Sequence, residues 1–139
     1  MMKTFKWILL LVFVLHFGCA TSPQTQVIQI NPTHVIGKWK GVMTVPAHGE
    51  MEYAARLRPR VELEIFNARL QGKLTRFFTN DKTKHFPFRG RIEDGKLVAY
   101  WKNNRWMKLD LEEKNGKLLL KGVHNFVQSG GSISLEKIQ

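Results

Sequence analysis

The residue types able to do chemistry are sparse in this chain of 139 residues: one cysteine, Cys19, and histidines at positions 16, 34, 48, 85 and 124. A single thiol leaves no dithiol couple and no thiolate metal cage. His48-Gly49-Glu50-Met51-Glu52 sets an imidazole and two carboxylates side by side, a set able to hold a cation. It lacks the His-Glu-x-x-His spacing that puts two imidazoles on one helical face, and it reads as a solvated loop. Glu62 and Glu64 stand about 7 Å apart along a strand, a separation compatible with acid and base pairing. Arg58 and Arg60 flank them, so cross-strand ion pairs account for both carboxylates. Ser129-Gly130-Gly131-Ser132 lacks the Gly-x-Ser-x-Gly frame of a nucleophile elbow, and no glycine-rich phosphate loop occurs. These residues point away from an enzyme, and they imply no cofactor and no metal.

Cys19 takes its meaning from what precedes it. Lys3 and Lys6 lead into an unbroken apolar run from Trp7 to Leu15, followed by Gly18 and Cys19; these are the charged, apolar and small-residue regions of a signal peptide. The run is far shorter than the roughly 20 residues a helix needs to span a bilayer, so residues 1–18 are expected to be removed. Leu15-His16-Phe17-Gly18-Cys19 resembles the lipobox of bacterial lipoproteins, with Leu15 one position earlier than that family places it. The resemblance implies that the Cys19 sulfur is diacylated, with palmitate as the natural label, and that Cys19 becomes the mature N-terminus. Such a set of acyl chains suffices for stable anchoring. The family retains proteins in the inner membrane through an Asp after the Cys; Ala20 stands there. In a Gram-negative cell this implies the outer membrane, facing the periplasm.

Residues 19–34 then make up the lipidated cysteine and a polar tether. Ala20 to His34 is rich in Gln, Thr and Pro, with only Val27-Ile28-Gln29-Ile30 to interrupt it, and it reaches about 20 Å if flexible and about 50 Å drawn out. Residues 35–139 suit one domain with one core. Within them Leu57, Val61, Leu63 and Ile65 point one way while Arg58, Arg60, Glu62 and Glu64 point the other, the alternation of a strand with one wet face. Asp94-Gly95 and Asn115-Gly116 tolerate positive φ and predict tight hairpins; Asn103-Asn104 and Ser129-Gly130-Gly131 supply further turns. Met51 to Arg56 fits a helical turn or a loop. Strands are expected near 36–45, 56–66, 72–78, 85–92, 96–102, 105–112, 117–124 and 131–137. Eight short strands joined in sequence predict an all-β, antiparallel up-and-down meander, closed into a barrel so that no edge stays bare. A two-sheet β-sandwich is the alternative.

At the start of this domain, Gly37-Lys38-Trp39 within Ile36 to Gly41 resembles the opening Gly-x-Trp of lipocalins and avidins, in which the Trp plugs one end of the barrel. The resemblance implies a lipocalin-like barrel able to bind a small apolar or amphipathic ligand. The chain leaves no room for the C-terminal helix of lipocalins, and Lys40 to Thr44 replace the biotin-binding residues of avidins. An eight-stranded barrel is wide enough either to be filled by side chains or to hold one small ligand. Trp39, Met43, Phe86, Phe88, Trp101 and Trp106 are the candidates to plug it or to line such a site.

Charge offers a second surface. Loss of Lys3 and Lys6 with the leader lowers the formal charge from +11 to +9, and ten basic residues between Arg56 and Arg91 stand against Glu62, Glu64 and Asp81. With neighbouring strands, Arg58, Arg60, Arg89 and Arg91 are expected to share the outer face as a basic stripe. Basic residues among aromatics such as Phe77, Phe78 and Tyr100 would suit single-stranded nucleic acid in a cytoplasmic protein, but export directs the expectation to the envelope and away from nucleic acid. The expected function is that of a lipid-anchored, non-enzymatic binding module for a small apolar or amphipathic ligand or an envelope component. The alternatives are a basic module that docks on acidic lipid, lipopolysaccharide or protein, and an accessory or inhibitor of an enzyme. Oligomeric state leaves no mark on the sequence.

Overall fold

A computed structural model describes residues 22–44, 57–126 and 130–139, with only the backbone of residues 57 and 58. Cys19, the Met51–Arg56 segment, and the His48, Glu50 and Glu52 trio lie outside the described residues. Eight antiparallel strands close into an up-and-down barrel: β2 (Gly37–Met43), β3 (Leu57–Ile65), β4 (Gln71–Phe78), β5 (Thr83–Glu93), β6 (Lys96–Tyr100), β7 (Trp106–Lys114), β8 (Lys117–His124) and β9 (Gly131–Lys137). Each strand pairs with the next, and the ring closes where β9 pairs with β2. The barrel, and not the sandwich, is the fold. Two of the turns carry the backbone their residues favour. Asp94 and Gly95 have φ of 50° and 76°, and Asn115 and Gly116 have 53° and 74°, the left-handed pair that matches the twist of a tight hairpin.

The segment expected to be a tether is part of the folded unit. A ninth strand, β1 (Gln26–Ile28), lies along β7, with Gln26 opposite Glu113 and Ile28 opposite Leu111. It continues the edge that β6 leaves, because β6 pairs with β7 only from Trp106 to Leu109. One helical turn follows, α1 (Pro32–Val35), capped by the Asn31 side chain, which accepts a hydrogen bond from the Thr33 N–H at 3.1 Å. Pro32 at the first helical position has no N–H to leave unsatisfied. Ile30 and Val35 are buried in the core, so the packed chain begins near Gln26, before residue 35.

Inside, one residue of every two points inward and is buried. Trp39, Met43, Leu63, Ile65, Leu74, Leu97, Met107, Leu109, Leu111, Leu120, Ile133 and Leu135 all have under 2% of their surface exposed. Side chains therefore fill the described interior. Strands beginning and ending in register give the barrel two ends: a floor, where β2 begins and where α1 and the two tight hairpins lie, and a mouth, where β2 ends at Met43 and β8 passes through His124 towards β9.

Candidate functional site

Trp39 sits at the floor. Its indole is fully buried, and Nε1 donates to the Val35 carbonyl at 3.0 Å; the Lys137 ammonium lies 5.6 Å from its ring centre. Met43, at the mouth end of the same strand, is buried too.

The mouth carries an aromatic cluster. Phe86, Phe88, Trp101 and Phe126 pack edge to face or tilted, with centroids 6.1 Å apart for Phe86 and Phe126, 5.3 Å for Phe88 and Trp101, and 4.7 Å for Trp101 and Phe126. These spacings suit aromatic pairs, whose positive edges meet negative faces. The reason for the cluster lies in the sheet. β5 pairs with β4 from Thr83 to Arg89 but with β6 only from Arg89 to Glu93. The upper part of β5 is thus an edge, a place that tolerates Pro87. Trp101, just past β6, turns onto that edge and donates its Nε1 to the Phe86 carbonyl at 3.0 Å. Trp106 departs from the expected lining set: it shares a face with Lys108, whose ammonium is 5.0 Å from its ring, while its neighbour Met107 points into the core.

Two residues of the mouth are missing from the sequence-derived set. Phe126 joins the cluster, and His124 beneath it is buried. His124 Nε2 donates to the Thr44 carbonyl at 2.9 Å, and Nδ1 accepts from the Phe126 N–H at 3.3 Å. Only the neutral ring with its proton on Nε2 can make both bonds. Burial pushes the imidazole below the ordinary histidine value; the Thr44 bond opposes this, and the nearby Arg76 cation adds to it.

On the outer wall, Glu62 and Glu64 are held as ion pairs. Arg60 reaches Glu62 at 2.7 Å, Lys40 reaches it at 3.8 Å from the neighbouring strand, and Lys73 reaches Glu64 at 3.4 Å. Lys40, Glu62, Glu64 and Lys73 line a groove of about 510 Å³ together with Thr75, whose hydroxyl is 2.9 Å from His85 Nδ1. Both of its carboxylates are paired with cations. Among the described residues, no group of three or more His, Cys, Asp or Glu side chains could hold a metal ion.

Arg60, Arg89 and Arg91 are exposed on the outer face, as alternation requires; the Arg58 side chain is not among those described. They do not form one stripe. Arg60 stacks 4.6 Å above the Phe77 ring, whereas Arg89 stands opposite Gln71 at the other end of β4, about 20 Å further along the strand. Arg91 pairs with Glu93, lies 4.6 Å over the Tyr100 ring and donates to Tyr100 Oη at 3.1 Å. The strand tilt of a closed barrel carries these residues apart.

A second groove, of about 560 Å³, opens on the wall of β4, β5 and β6. Phe66 and Gln71 form one side, Tyr100, Trp101 and Lys102 the other, with Pro87 and Arg89 between them. Gln71, Arg89 and Tyr100 are in register across the three strands, and the Phe66 N–H donates to the Gln71 carbonyl at 2.8 Å. Phe66 follows β3 directly and belongs to no alternating run, so its position beside this wall depends on pairing that sequence spacing does not reveal.

Known proteins add no relative to this picture: no family model matches the chain, and no curated protein or solved structure matches it.

Proposed function

We propose that the chain is a lipid-anchored protein of the bacterial envelope, in the outer membrane of a Gram-negative cell, whose barrel is a non-enzymatic binding module for an anionic or amphipathic envelope component taken on its outer wall. The observation that carries this reading is the packed interior. Twelve large side chains with under 2% of their surface exposed leave an interior ligand to compete with a close-packed core, while the two grooves of several hundred Å³ both open outward. Catalysis is left out because Glu62 and Glu64 are already neutralised by Arg60, Lys40 and Lys73.

The anchor supports the choice of partner. With β1 stitched to β7 from Gln26 onward, the chain between Cys19 and the barrel spans at most about 25 Å. A domain held that close samples the membrane surface continually. The test uses the mature chain made without its leader and with Cys19→Ser, mixed with vesicles of neutral lipid with or without phosphatidylglycerol, and separately titrated with a fluorescent fatty acid. Sedimentation with the anionic vesicles only, weakening between low and physiological salt as exposed charges are screened, is the expected result. Salt-independent binding of the fatty acid, with no vesicle binding, would return the ligand to the interior.

A further inference from the structure

We infer that the groove between Phe66 and Tyr100 seats a single anionic phospholipid, with its phosphate on Arg89 and Lys102 and its apolar part along Phe66, Pro87 and Trp101; this rests on the outer-wall reading above and names the ligand of that wall. The charge of the groove is of one sign. Its ionic lining residues are Arg89 and Lys102; of the nearby carboxylates, Glu64 pairs with Lys73, and Glu93, which accepts from the Tyr100 hydroxyl, pairs with Arg91. An arginine fork beside a lysine matches the geometry of a phosphate group. The same groove has an apolar side that water would otherwise cover: Phe66 is 52% exposed and Tyr100 38% exposed. Anion and apolar stem together describe an amphiphile.

The walls are set before any ligand arrives. Trp101 is pinned by its bond to the Phe86 carbonyl and by contact with Phe88 and Phe126. Tyr100 is held by Arg91 on one side and by its own hydrogen bond to Glu93 Oε2, at 3.0 Å, on the other. These two rings need little ordering on binding. About 560 Å³ lies in the range of pockets for one small ligand, enough for a headgroup and the start of an acyl chain, and the open side lets the remaining chain stay in the bilayer.

Nucleic acid has the same charge but needs open ring faces for its bases to stack on. Here a cation already lies over one face of each exposed ring: Arg91 over Tyr100 at 4.6 Å and Lys73 over Phe66 at 6.0 Å, which leaves fewer faces for bases.

The experiment titrates the mature Cys19→Ser chain with a short-chain phosphatidylglycerol below its micelle concentration, following the Trp101 indole N–H by NMR. Short-chain phosphatidylcholine, inorganic phosphate, a polyglutamate peptide and a single-stranded oligonucleotide serve as comparisons. Phosphatidylglycerol is expected to shift the Trp101 signal and to bind at least about tenfold tighter than each comparison. Arg89→Glu with Lys102→Glu should weaken it at least about tenfold, as for loss of charged hydrogen bonds; Phe66→Ser should weaken it several-fold, and Arg60→Glu on the distant wall should leave it unchanged. Lys102→Glu alone, in an exposed turn, repeats the test should the double variant fold poorly. Unaltered binding by a folded Arg89 and Lys102 variant would overturn the groove while leaving anionic-lipid binding in place. A wild-type chain that binds no anionic lipid would overturn both. Equal binding of inorganic phosphate, peptide or oligonucleotide would overturn the assignment to lipid.

Discussion

Trp39 and Val35 are tied to each other: the indole Nε1 donates to the Val35 carbonyl at 3.0 Å, and both residues are wholly buried. One bond joins the first barrel strand to the helical turn that crosses the floor. Trp39 lies opposite Leu63 on one side and Lys137 on the other, so the ring spans the seam where β9 closes onto β2.

Trp39→Ala should therefore cost about 3–5 kcal/mol, as other large aromatic deletions in cores do. Trp39→Phe keeps most of the apolar volume but leaves the Val35 carbonyl without its donor, a loss of about 1–3 kcal/mol. Urea titration of the mature chain measures both. A loss below about 1 kcal/mol for Trp39→Ala would mean that the floor is not closed by this residue.

His124 predicts acid sensitivity. Its folded-state value is depressed, by burial first and by Arg76 in addition, so the unfolded chain takes up the proton more readily. The stability it contributes is fully present above the ordinary value of about 6.5 and is lost as pH falls from there through the folded value. Urea midpoints should hold steady above that point and decline below it. In His124→Gln, which can still donate to Thr44, the decline across this window should flatten; an unchanged slope would assign it to other groups.

How far the sequence predicts this molecule depends on the range of the interaction concerned. Alternation from Val61 to Ile65 and the Asp94-Gly95 and Asn115-Gly116 turns are local and the structure keeps them, whereas the register of β3 on β4 shifts between Leu57 and Val61, which no spacing announces. β1 leaves no local mark, because it has three residues and Val27 is 65% exposed, with no period to read. Asn31 and Pro32, a cap and a residue suited to the first helical position, fall inside the stretch expected to be a tether, so α1 is not expected either. The outer wall was least legible. That Arg60 and Arg91 share a face follows from parity, but their separation follows from the stagger of four strands, and the pairing of Phe66 with Tyr100 across a groove has no counterpart in the spacing of either residue.

The ion pairs of the outer wall should matter little. Glu62 is served by Arg60 and Lys40, all three partly exposed, and exposed pairs contribute about 0–1 kcal/mol. Glu62→Gln and Glu64→Gln are expected to lower stability by less than about 1 kcal/mol each in the same urea titration. A larger loss in either would show that these carboxylates organise the wall.

The anchor is tested in cells. Cys19→Ala should abolish labelling with palmitate and move the protein from the membrane to the soluble fraction, because the remaining apolar leader is expected to be short and removable. A Cys19→Ala protein that stays with the membrane, or a wild-type protein that takes up no label, would sink the lipoprotein reading. The barrel predictions above would be untouched, since none of their contacts involves Cys19.

Gly131 offers the sharpest test of the mouth. It begins β9 opposite His124, and a Cβ built there would run into the Thr44 carbonyl and the His124 ring. Those are the two partners of the bond that fixes the imidazole. Gly131→Ala must push them apart, at a cost of about 1–3 kcal/mol for overpacking. The same change should weaken the Nε2 bond to Thr44, let water reach the ring and move His124 back towards its ordinary value, so that the acid-induced loss of stability becomes shallower. Both effects are read from one set of urea titrations across pH. Gly131→Ala with wild-type stability would show that the mouth yields easily, and a loss of stability with an unchanged pH profile would separate the glycine's packing role from the environment of His124.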